Sequence, residues 1–124
     1  MLNQVLLYLG ALFTALWGIT HLFATKGAVT GFGDISLDNK RIITMEWIVE
    51  GISLIFIGAL VATVTAVASD NDVSLAVYWL CFGVLNVLSL VSLFTGFKVN
   101  FLPYKLCPVI FSGSSILILL GAVL

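Results

Sequence analysis

Four long apolar blocks decide what this chain can become. They run over Leu2–Ala24, Ile42–Ala68, Val73–Phe97 and about Leu106–Leu124. Each approaches the ~20 residues that a helix needs to cross a hydrocarbon layer about 30 Å thick. Only 9% of the residues are charged and 61% are hydrophobic. A soluble domain carries about 25% charge, so this chain cannot cover a water-facing surface. The expectation is an all-α integral membrane protein, a left-handed antiparallel four-helix bundle forming one domain over residues 1–124. Its helices are expected at about 2–25, 36–68, 73–97 and 105–124. The first block is read as a span, because it lacks a basic n-region and exceeds the apolar core of about 7–15 residues of a cleavable leader.

Charge sets the expected orientation. All five cations, Lys26, Lys40, Arg41, Lys98 and Lys105, fall in the first and third connections. The second connection, Ser69–Asp72, has none. Basic connections stay on the cytoplasmic side, which puts both termini outside. A net charge of −1 gives no footprint for nucleic acid. Cys81 reads as near the outer face and Cys107 as opening helix 4 at the opposite face; a disulfide needs Cα atoms within about 7 Å, so both are expected as free thiols.

Along the chain, Gly10, Thr14, Trp17 with Gly18, and His21 recur at helical spacing and form one face of helix 1. The connection Lys26–Arg41 reads as a loop because of Gly27, Gly31 and Gly33. Ser36 is a candidate N-cap with Asp38 in the first turn, and Asp34 is the other candidate. In helix 3, Tyr78 and Trp79 mark the outer interface, and Asn86 joins Gly83, Ser89 and Ser92 on a polar inner face. Helix 4 is expected to start between Pro103 and Leu106, with Pro108 in its first turns and Gly113–Ser115 as a small-residue packing patch.

The stretch Arg41–Gly51 concentrates the chemistry. Glu46 and Glu50 stand one helical turn apart at the head of an apolar run. Carboxylates in that position need a partner, a proton or water. By depth, His21, the one histidine, lies at a similar level on helix 1, so the three are expected to converge if helices 1 and 2 are antiparallel neighbours. Glu50 is expected to face helices 1 and 3 and to reach His21. The competing reading pairs Glu46 and Glu50 with Lys40, Arg41, Lys98 or Lys105 at the membrane surface. A metal is not expected, because the Glu-x-x-His pairs of di-iron bundles are absent. Nucleophilic catalysis finds little support: no Gly-x-Ser-x-Gly elbow occurs, and Cys107 reads as structural.

The segments Trp17-Gly-Ile-Thr-His21 and Glu46-Trp-Ile-Val-Glu50-Gly51, with the four-span layout over the whole chain, resemble the DoxX-like group of small bacterial membrane proteins. The resemblance implies a bacterial inner membrane. Some members of that group are linked to quinone-associated sulfur redox chemistry, which the resemblance does not assign to residues here. The functional expectation is a polar pocket at the cytoplasmic end that binds a membrane lipid or small amphiphilic ligand. His21, Glu46 and Glu50 would orient its head, Trp17 and Trp47 would pack on it, and Asn86 would line the cavity. The rivals are an accessory subunit of a homo-oligomer or larger membrane complex, with Gly113–Ser115 as an exposed docking face, and a membrane enzyme, an isomerase or quinone-linked redox protein, using Glu50 and His21 for proton transfer.

Overall fold

The computed structural model describes all 124 residues. Four helices follow one another: α1 Leu2–Gly31, α2 Leu37–Ala68, α3 Asp72–Phe94 and α4 Leu102–Val123, with a 3₁₀ turn at Gly96–Lys98 before α4. All four are long and apolar enough to cross a membrane. Only 27 residues are buried within the bundle, and Phe56 and Leu80 stay 63% and 73% exposed on its outside. That surface is stable in lipid and not in water. The chain is an integral membrane antiparallel four-helix bundle.

The buried positions explain why the helices associate. In α2 they are Trp47, Gly51, Leu54, Gly58, Val61 and Thr65. In α1 the series runs Leu7, Ala11, Thr14, Gly18, His21, Thr25, and in α4 Cys107, Phe111, Ser114, Ile118, Gly121. Steps of four and three residues alternate throughout, which is the seven-residue repeat of left-handed knobs-into-holes packing. α1 packs along both α2 and α4, and α3 packs on α4. α2 meets α3 sparsely, through Thr65 and Tyr78, whose hydroxyls are 2.9 Å apart, and through Ser74, which donates to the Ala68 carbonyl at 2.6 Å.

Lipid supplies no hydrophobic drive for helix association, so close backbone approach must do the work. A Cβ on Gly18 would lie 2.5 Å from the Gly51 carbonyl oxygen, and one on Gly58 would lie 2.5 Å from that of Ala11. These two points clamp α1 against α2 and fix the height at which their side chains meet.

Several boundaries differ from the sequence expectation, each for a local reason. α1 runs past Thr25 to Gly31, because Ala28 is buried in the seam and Thr30 bonds back to the Lys26 carbonyl. Gly33, at φ +73°, makes the stop, with its N–H on the Thr30 carbonyl. α2 begins as expected, Ser36 accepting from the Asn39 N–H at 3.1 Å. α3 ends at Phe94, earlier than Phe97, and α4 starts at Leu102 with Pro103 in its first turn. Tyr78 points into the bundle, at 1% exposed, while its neighbour Trp79 is 47% exposed. Nor is Gly113–Ser115 an exposed face, since Ser114 and Ser115 are buried.

Candidate functional site

The site lies at the basic end of the bundle, where α1 leaves, α2 enters and α4 begins. At about 1.5 Å per residue, α1 and α2 are some 45 Å long and α4 about 33 Å. The first two therefore overreach a ~30 Å hydrocarbon layer. His21 lies ten residues before the end of α1, Glu50 thirteen residues into α2, and Cys107 five residues into α4. The offsets bring all three to one level.

His21 is the centre. It is 3% exposed, on the α1 seam one turn beyond Trp17. Its Nδ1 lies 3.0 Å from the Trp17 carbonyl oxygen. A carbonyl only accepts, so Nδ1 carries the proton and donates. This leaves Nε2 as the working nitrogen. Nε2 stands 3.5 Å from Glu50 Oε2: ion-pair distance, and longer than a closed hydrogen bond. The His21 side chain is 4% exposed and that of Glu50 is 42% exposed. Glu50 is thus the outer member of the pair and the imidazole the inner one.

Aromatic rings wall the imidazole. Trp17 meets it edge-on at 5.5 Å and 79°, and Trp47 stacks at 5.0 Å and 34°. Tyr104 meets Trp47 edge-on at 5.4 Å, and Phe101 meets Tyr104 at 5.7 Å. The Cys107 thiol lies beside the ring. α2 and α4 are diagonal in the bundle, and Trp47 and Tyr104 are large enough to bridge between them. Two expected hydrogen bonds are missing here. The buried Trp17 indole N–H has no acceptor in the protein. Pro108, inside α4, has no N–H to offer the Tyr104 carbonyl one turn earlier.

Four of the six residues singled out in the sequence therefore meet: Trp17, His21, Trp47 and Glu50. Glu46 does not. It is exposed and makes no ion pair, because it lies one step outside the Trp47–Gly51–Leu54 seam that Glu50 flanks. Asn86 does not either: its amide donates to the Phe82 carbonyl of its own helix at 2.7 Å. Ser89 makes the crossing from α3 instead, donating to the Pro108 carbonyl at 3.1 Å beside the Ser112 hydroxyl at 2.6 Å. The third helix at the site is α4, not α3.

Surface pairing with the cations is not what holds Glu50. Arg41 pairs with Asp38 at 3.8 Å, and Lys105 donates to the Phe97 carbonyl at 2.9 Å. No three His, Cys, Asp or Glu side chains converge as metal ligands. Both cysteines are free. Sequence reasoning missed Tyr104 and Cys107. Their spacing with Phe111 (i, i+3, i+7) was the available signal that all three share the inner face of α4.

Comparison with known protein families, with characterised proteins and with solved structures finds no match.

Proposed function

We propose that this protein binds a small amphiphilic ligand at the cytoplasmic end of a bacterial inner-membrane bundle, with both termini outside and the Lys/Arg connections cytoplasmic. The supporting observation is the His21–Glu50 pair. A fully buried imidazole presents Nε2 to a half-exposed carboxylate inside a wall of Trp17 and Trp47. Intramembrane ionisable pairs are costly and mark ligand or proton pathways. The buried Trp17 N–H adds a donor without an acceptor, which a ligand oxygen satisfies. In this reading His21 and Glu50 hold a polar group of the ligand, the tryptophans flank that group, and the rest of the ligand extends away from the pair.

A second reading is supported by the tautomer. With Nδ1–H tied to the Trp17 carbonyl, Nε2 and Glu50 share one transferable proton, the arrangement a general acid–base catalyst needs. A DoxX-like redox or isomerase role belongs to this reading.

The test is purification in native lipid followed by extraction and mass spectrometry. Wild type is expected to retain a stoichiometric small molecule that His21→Ala and Glu50→Gln lose and Glu46→Gln keeps. Equal retention in all four, or none in wild type, would overturn the binding reading.

A further inference from the structure

A second feature of the same end of the bundle bears on what the ligand is. A cleft of about 560 Å³ lies between the end of α1 and the start of α4. Small-molecule sites span about 300–1,000 Å³. Its walls are Phe32, Phe101 and Tyr104, and Gly27 and Gly31 line it from α1. A Cβ on either glycine would meet nothing within 4 Å, so the helix backbone itself is open to a flat guest. Phe101 and Tyr104 stand at 62° to one another, offering a face and an edge to a third ring.

We propose that this cleft seats the ring of the amphiphile, and that the ring is flat, uncharged and bears a carbonyl or hydroxyl oxygen. The chemistry of the lining selects it. No charged side chain lines the cleft, although Lys26 adjoins Gly27 in the chain and Lys98 adjoins Val99. The Lys105 ammonium donates to the Phe97 carbonyl, 5.1 Å from the Phe97 ring centroid, and is not among the lining groups. A phosphate or carboxylate head meets no cation among the lining residues. Asn100 gives the one full amide, which both donates to and accepts from a ring oxygen. Tyr104 connects the cleft to the pair: it lines the cleft, and Trp47 lies 5.4 Å away, against His21. The ring thus sits two side chains from the imidazole. The inference rests on the amphiphile-binding reading for the guest's class, and on the cleft alone for its position.

The test is photolabelling of the full chain in nanodiscs with benzophenone, a neutral two-ring ketone, and peptide mapping of the adducts. Adducts on Phe32, Phe101 or Tyr104 are expected to exceed those on lipid-facing Phe56 about fivefold, the weight of one aromatic contact of about 1 kcal/mol at 1.4 kcal/mol per tenfold. Excess 2-naphthol should suppress them. Gly31→Leu, which grows into the open cleft, should remove the excess, and Gly27→Leu is the second filling variant should the first misfold by circular dichroism. Uniform labelling, or labelling unchanged in the filled variants, overturns the proposal. So does equal labelling by 4-carboxybenzophenone, which would point to an anionic lipid head as the occupant. Cleft labelling that survives while Glu50→Gln leaves the extracted small molecule unchanged supports the cleft and sinks the role of the pair; lost labelling with a Glu50-dependent molecule does the reverse.

Discussion

Replacing Gly18 by alanine adds one methyl group at the tightest point of the α1–α2 seam. The new Cβ would lie 2.5 Å from the Gly51 carbonyl oxygen and 2.9 Å from the Ile55 nitrogen. Ordinary contact begins near 3.4 Å, so the shortfall is 0.9 Å. Both obstacles are helix backbone and cannot rotate away. The helices must part locally, at the height of Trp17 and His21. Overpacking of this kind costs about 1–3 kcal/mol, against a helix-propensity gain of about 1 kcal/mol for removing a glycine. The expected net runs from no change to a loss of about 2 kcal/mol. Gly83→Ala is the control: its Cβ meets nothing within 4 Å, so only the propensity gain of up to about 1 kcal/mol remains. Unfolding of the two variants by sodium dodecyl sulfate in mixed micelles, followed by tryptophan fluorescence, should place Gly18→Ala about 1–3 kcal/mol below Gly83→Ala. Should Gly18→Ala match Gly83→Ala within about 0.5 kcal/mol, the clamp does not exist and the height argument for the site falls with it.

Three further outcomes follow from single contacts. Tyr78→Phe removes the hydroxyl 2.9 Å from Thr65 and should cost about 0.6–1.7 kcal/mol, with hydrogen exchange rising first around Val64–Ser74, where α2 and α3 have little else in common. Ser36→Ala deletes the N-cap of α2 and should lose about 1 kcal/mol, seen as faster exchange at the Asn39 amide with the spans unchanged. Ser89→Ala frees the Pro108 carbonyl and should destabilise α3–α4 packing by about 1 kcal/mol, while His21–Glu50 geometry stays intact.

The spans were legible because their length and apolar character leave no other solution in lipid. The meeting of His21 with Glu50 was legible because depth can be counted along a rigid helix. Glu46 was misjudged for a specific reason. Residues four apart share a helical face, but a seam repeats every seven. With Trp47, Gly51, Leu54 and Gly58 in the seam, Glu50 occupies a flanking position and Glu46 an outer one. Gly51 and Gly58, seven apart, already carried that register. The extension of α1 was hidden because Gly27 and Gly31 read as breakers, whereas burial of Ala28 outweighs their propensity. The place of α4 at the site depends on which helices are neighbours, which hydropathy does not encode. Asn86 was grouped with Gly83, Ser89 and Ser92 on one inner face, but of the four only Ser89 is buried, and Gly83 faces open space.

The central claim is a pair made by His21 and Glu50 from which Glu46 is excluded. His21 is the one histidine in the chain, so ¹⁵N-histidine labelling gives a single imidazole to observe by magnetic resonance in nanodiscs. The expected result is a ring with Nδ1 protonated, whose Nε2 signal moves in Glu50→Gln and stays put in Glu46→Gln. A ring protonated on Nε2 alone, or an Nε2 signal that ignores Glu50→Gln or answers equally to Glu46→Gln, contradicts it.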